Sequence, residues 1–141
     1  MVERPIFGGV HIFFRDLDET IDFYGRLGLE FGPRSKHFVR AMLANGQTFE
    51  FGSAELSRGY DPAWREPSGA GANALQFRLA SRQAVDDLYA ELTAAGYHGA
   101  LAPFDAFWGC RYAEVDDPNG NIVGFQSPRD PENVSPPPVD E

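Results

Sequence analysis

An internal repeat limits what this chain can fold into more than any other feature. Setting Asp16 against Ser81, an offset of 65 residues, also aligns Tyr24 with Tyr89 and Leu27 with Leu92. Identity across the repeat is low, but its organisation is shared. In the first copy, residues 6–16 read as a strand ending at Asp16. Asp18 is then placed to cap a helix from Glu19 to Leu27, with Ile21, Tyr24 and Leu27 as its inner stripe and Gly28 as its stop. Strands Phe38–Leu43 and Thr48–Phe51 follow, joined by the hairpin signal Ala44-Asn45-Gly46-Gln47. In the second copy Ala74–Leu79 reads as a strand and Ser81 as an N-cap. Val85, Leu88, Tyr89 and Leu92 form the apolar stripe of a helix that Gly96 ends. Strands Arg111–Val115 and Ile122–Gln126 flank the turn Asp117-Pro118-Asn119-Gly120. The plan is strand–helix–strand–strand–strand, twice.

Composition narrows the function classes. The 141 residues carry 12 Lys+Arg against 21 Asp+Glu, a formal net charge of −9. That balance argues against nucleic acid and against an anionic membrane surface as partners, since both need clustered basic residues. A single cysteine, Cys110, excludes an internal disulfide framework and a cysteine-based zinc cluster. No apolar run approaches the roughly 20 residues that span a bilayer. Met1-Val2-Glu3-Arg4-Pro5 lacks the organisation of a signal peptide. A cytoplasmic protein is the resulting expectation.

The expected domain covers residues 1–127, with one module at about 5–52, a linking loop at about 53–72 and a second module at about 73–127. The Gly- and Pro-rich loop carries Tyr60 and Trp64 and reads as a lid or as a plain linker. Residues 128–141, with five prolines and one Arg against four Asp/Glu, read as an extended acidic tail with no core of its own.

Side-chain alternation sorts the strands into two faces. Val10, Ile12 and Phe14, Phe49 and Phe51, Leu75, Phe77 and Leu79, and Val123 and Phe125 are uniformly apolar and belong under helices. The opposite faces are mixed, carrying His11 and Phe13, Thr48 and Glu50, Gln76 and Arg78, and Ile122, Gly124 and Gln126. Burying Arg78 or Glu50 in a dry core without partners would cost several kcal/mol, so a wet cleft, an ion pair or solvent at a sheet end is required. The fold class is α+β: a curved mixed sheet with helices outside and a polar–aromatic concave side, the outline of a ligand cleft.

The stretch Val-His-Ile-Phe-Phe-Arg-Asp-Leu-Asp-Glu-Thr-Ile-Asp-Phe-Tyr-Gly-Arg-Leu-Gly-Leu-Glu-Phe, residues 10–31, resembles the opening of the glyoxalase, bleomycin-resistance and extradiol-dioxygenase group, the vicinal oxygen chelate superfamily. Phe107-Trp108-Gly109-Cys110-Arg111-Tyr112 followed by Asp117-Pro118-Asn119-Gly120-Asn121 is similar to that group's closing motif. The resemblance implies paired βαβββ modules around a cleft, often completed in a homodimer. It also implies a divalent metal held by one residue from each of four strands. Carried over position by position, those ligands fall on Gly9, Ala74, Gly124 and Glu50. Only Glu50 has a donor, and one carboxylate cannot hold a catalytic metal against water. A register shifted by two would offer His11, Gln76, Gln126 and Glu50, whose two neutral amides are poor metal ligands.

No cofactor is therefore expected, with a divalent metal at a degenerate site as the alternative. Non-catalytic members of the superfamily sequester planar antibiotics. On that reading the cleft binds a small aromatic ligand through His11, Phe13, Phe38, Arg40, Glu50, Trp64, Gln76, Arg78, Phe104, Phe107 and Trp108, and no residue is catalytic. The alternative is a lyase, isomerase or dioxygenase using His11 and Glu50.

Overall fold

The computed structural model describes residues 2–66 and 73–139. The chain divides into two compact units, Met1–Pro67 and Ser68–Glu141. In the first, strand β1 (Gly9–Phe14) leads into helix α1 (Leu17–Arg26), followed by the hairpin of β2 (Phe38–Met42) and β3 (Thr48–Ser53) and a short helix α2 (Ala54–Tyr60). In the second, β4 (Ala74–Arg78) leads into α3 (Arg82–Ala94), then β5 (Gly99–Asp105), β6 (Arg111–Asp116) and β7 (Ile122–Gln126). The first sheet runs β1-β3-β2 and the second β4-β7-β6-β5. In each, the strand before the helix pairs parallel with the last strand of the unit, and the other pairings are antiparallel.

The predicted repeat is present at its most informative point: Asp16 and Ser81 are both helix N-caps. Asp16 Oδ1 accepts the Glu19 N–H at 3.0 Å, and Ser81 Oγ accepts the Ala84 N–H at 3.0 Å. This corrects the assignment of the cap to Asp18, which instead lies in the first turn of α1 and pairs with Arg34. The inner face of α1 shifts with it, to Thr20, Phe23 and Tyr24. Gly28 and Gly96 follow the helix ends with φ of +92° and +99°, backbone that favours glycine.

Apolar faces lie where alternation puts them. Tyr24 packs its ring against Phe51 at 5.0 Å and Phe49 at 5.4 Å, with Val39 and Ala41 also buried. Under α3, Val85 and Leu92 are buried, as are Ala113, Val115, Val123 and Phe125 of the sheet it packs against.

One reading changes, and the loop and the tail gain detail. Among the described residues the first unit shows two strands after α1 and not three; the bridge Phe31↔Ala41 marks the place of the other. In the second unit that strand is β5, where Gly99 and Pro103 obscure the pattern; at a sheet edge a proline costs no ladder bond. The loop after β3 is not structureless. Ser53 ends the strand and caps α2 by accepting the Leu56 N–H, while residues 67–72 of that loop lie outside the described residues. Finally, the tail is pinned. Asp130 N–H donates to Gly109 O and Ser135 N–H to Phe107 O, Val134 bridges Trp108, and Pro131–Asn133 form a 3-10 turn.

Candidate functional site

The mixed face of the first sheet brings six of the named residues into one chain of contacts. Strand register sets His11, Glu50 and Arg40 side by side across β1, β3 and β2. Arg40 reaches Glu50 Oε1 through Nη2 at 2.9 Å and Nε at 3.0 Å, and His11 Nδ1 lies 3.5 Å from Glu50 Oε2. Both carboxylate oxygens are thus engaged. The Arg40 guanidinium also lies over the Phe38 ring at 5.4 Å. His11 contacts Phe13 at 5.1 Å between ring centroids, and Phe13 meets Trp64 edge-on at 5.9 Å. The imidazole leans over Gly52, where an added Cβ would stand 2.7 Å from Nε2. Trp64 in turn carries the Arg58 guanidinium on its ring at 5.1 Å.

The second sheet gathers four of its five named residues, through partners that the sequence reading left out. Gln76 and Glu114 flank Gly124, and Tyr112 pairs with Gln126 in the next row. Gln76 Nε2 donates to Tyr112 Oη at 3.0 Å, and that hydroxyl donates to Glu114 Oε2 at 2.8 Å. This strap passes over Gly124, whose missing side chain leaves the space that the Gln76 amide and Tyr112 hydroxyl fill. Burial pushes the Tyr112 hydroxyl above its usual 10.0; the Gln76 donor opposes that shift and the Glu114 carboxylate adds to it.

Trp108 is the hub of the rings, 5.1 Å from Phe107, 5.3 Å from Tyr112 and 6.3 Å from Phe104, all nearly edge-to-face. Its indole N–H donates to Gln126 Oε1 at 3.3 Å. Phe104 and Phe107 remain over one-third exposed. Phe107 also lines a cavity of about 380 Å³ with Arg82, Asp105, Asn133 and Ser135. Arg82 and Arg111 both bind the Asp105 carboxylate there and hold its pKa below 3.8. Arg78 is exposed and makes no ion pair among the described residues, so it joins no cluster. Alternation along β6 was the available signal for Tyr112 and Glu114, since Ala113 and Val115 point under α3.

The four positions that the superfamily uses for metal offer one donor side chain here. At Gly9, with φ of +152°, an added Cβ would strike the Thr48 carbonyl oxygen; Ala74 has no polar atom; Gly124 is covered by the strap. Glu50 is committed to Arg40 and His11. The amides of the shifted register are committed too, Gln76 to Tyr112 and Gln126 to Trp108. Among the described residues no three His, Cys, Asp or Glu side chains come together in a group able to hold a metal ion. The residues present do not fit a catalytic divalent ion. Among the described residues, no helix is long and apolar enough to cross a membrane.

Solved structures share this architecture. A glyoxalase/bleomycin resistance protein/dioxygenase from Nocardioides superposes with a TM-score of 0.73 at 24% identity, covering 99% of this chain and 93% of its own. A family enzyme from Burkholderia phytofirmans PsJN gives 0.74 at 25% identity, covering 85% and 96%. A glyoxalase-related enzyme from Fulvimarina pelagi gives 0.77 at 21%, covering 87% and 88%. No curated protein matches the chain. The family model for the glyoxalase/bleomycin resistance protein/dioxygenase superfamily matches residues 6–125, and the chain belongs to that superfamily.

Proposed function

We propose that this chain is a metal-free binding protein that sequesters a planar aromatic antibiotic or related natural product by stacking. The observation that carries the reading is the absence of donors at Gly9, Ala74 and Gly124, together with the pairing of Glu50 with Arg40 and the 3.5 Å approach of His11. What the mixed faces offer instead is ring surface: Phe13, Phe38 and Trp64 in one unit, Phe104 and Trp108 in the other. Each well-placed aromatic pair contributes about 0.5–1.5 kcal/mol beyond area burial. Burying roughly 200 Å² of apolar ligand surface adds about 5 kcal/mol. Two or three stacked rings then bring the gross interaction to the order of 8 kcal/mol, from which the cost of association is subtracted. Edge-to-face contacts around Trp108 hold those rings in place beforehand, which lowers the ordering cost. The proposal extends to a homodimer acting in the cytoplasm, with a small aromatic molecule as partner.

The test is a titration of the purified chain with planar polycycles of differing charge, read by tryptophan fluorescence and melting temperature. Saturable quenching that weakens at least tenfold in Trp108→Ala supports stacking; no response to any of them refutes it.

A second reading is an enzyme of the lyase, isomerase or dioxygenase type using His11 and Glu50, favoured by the 3.5 Å approach of His11 Nδ1 to the carboxylate. Stoichiometric metal in an unsupplemented preparation, lost in Glu50→Gln, would select it over sequestration.

A further inference from the structure

We propose that the first unit carries a second site, away from the mixed face, that binds a small multiply charged oxyanion at the carboxyl ends of β1 and β3. A cavity of about 450 Å³ opens there, lined by Phe14, Arg15, Lys36, His37, Ser53 and Arg58 among others. Phe14 and Ser53 are paired in register and share the strand parity that faces the helices, so this space is not the aromatic one described above.

Its charge is the exception in an acidic protein. The chain carries a net charge of −9, yet three cations line this one cavity against the two carboxylates Glu55 and Glu66. Arg15 and Glu66 neutralise each other at 3.0 Å. Lys36, the only lysine of the sequence, and Arg58 have no carboxylate partner among the described residues. Most other arginines do: Arg26, Arg34, Arg40, Arg82 and Arg111 are all paired. With Arg15 and Glu66 paired, Lys36 and Arg58 face only Glu55, so the cavity keeps a net positive charge of one, the sign that attracts an anion.

The donors are also positioned. Arg58 lies over the Trp64 ring at 5.1 Å, a contact that anchors this cation at the cavity wall. His37 is fixed by a 2.7 Å hydrogen bond between Nδ1 and Ser53 Oγ. When the serine hydroxyl donates that bond, the ring proton sits on Nε2, which adds a neutral donor to the cavity wall. Phosphate esters and polycarboxylates share the chemistry that this set recognises. The site does not require the stacking reading: Arg58 touches Trp64 of the aromatic chain, but Arg15, Lys36, His37 and Ser53 line only this cavity.

Trp64 gives the experiment its reporter, since it touches Arg58. The full-length ¹⁵N-labelled chain is titrated separately with inorganic phosphate and with citrate in a non-coordinating buffer, following the Trp64 indole and the Lys36 and His37 amides. Saturable shifts at about 1 mM or tighter are expected. Lys36→Ala and Arg58→Ala should each weaken binding at least tenfold. Arg65→Ala, the same charge change at an exposed arginine outside the cavity, should leave it within twofold. Tighter phosphate than citrate assigns a phosphoryl group, and the reverse assigns a polycarboxylate. No saturable shift with either anion, or equal weakening in all three variants, overturns the site. Melting temperatures of the variants separate loss of the site from loss of the fold.

Discussion

Replacing Gly124 by alanine puts a methyl group where the strap over β7 now runs. The added Cβ would lie 2.6 Å from Gln76 Oε1 and 2.9 Å from its Nε2, and in hard contact with Tyr112 Oη. Tyr112 is 7% exposed and wedged against Trp108 and Phe104, so its ring has little room to yield. The Gln76–Tyr112 bond is worth about 0.5–1.5 kcal/mol and the bond onto the Glu114 carboxylate about 1.5–3. Against that loss, removing a glycine from a strand returns about 0.5–1 kcal/mol. The net expectation is a destabilisation of roughly 1.5–3 kcal/mol, or a melting temperature lower by about 5–10 °C for a chain of this size. In a Tyr112→Phe background the obstructing hydroxyl is gone and the Gln76 amide can swing aside. Gly124→Ala should then be neutral or mildly stabilising. Urea denaturation of the four proteins forms a double-mutant cycle whose coupling should exceed about 1.5 kcal/mol. An equal cost of Gly124→Ala in both backgrounds, or a stabilised single variant, would refute the idea that glycine is there to admit the strap.

Asp16→Ala and Ser81→Ala should each cost about 1 kcal/mol in chemical denaturation, because the two residues perform the same capping task at equivalent points of the repeat. The Asp105 carboxyl should titrate below 3.8 by carbon NMR, held down first by Arg82 and then by Arg111. With the folded pKa depressed, its contribution to stability is complete above the unfolded value and is lost as pH falls through the folded one. In Arg82→Ala that carboxyl should move back toward 3.8; an unmoved titration would contradict the assignment. Glu50→Gln should change stability by less than about 1 kcal/mol, since its pairs with Arg40 and His11 are partly solvated. A larger loss in thermal melting would mean that the pair carries folding energy beyond its geometry.

Much of this architecture is legible in the residues themselves. Alternation in Val10–Phe14 and Thr48–Phe51 fixes which side chains go under α1, because a slip by one residue would turn Phe49 and Phe51 to the other face. Asn45-Gly46 marks the hairpin, and Gly46 has the positive φ of +83° that such a turn needs. Local signals fail where tertiary contacts decide. Ser53 serves as strand end and helix cap at once, so the Gly- and Pro-rich stretch after it hid α2. Pro103 hid an edge strand, and the first unit's counterpart shrank to the Phe31 bridge. Within the candidate site, His11, Arg40 and Glu50 follow from register alone. Tyr112 and Glu114 required knowing that Gln76 crosses the glycine between them, a non-local fact that no spacing announces.

The pinned tail has a practical meaning for the aromatic loop. Gly109 has φ of +92°, and Asp130 O sits where its Cβ would be, while Arg129 Nε donates to Trp108 O at 3.2 Å. Residues 129–135 therefore act as a splint that sets the angle of the Phe107–Trp108 segment, though they contribute no ring of their own. Cutting the chain at Gln126 removes that splint, and a bulky group attached beyond it strains it, so the Phe107–Trp108 segment should then sit at a different angle.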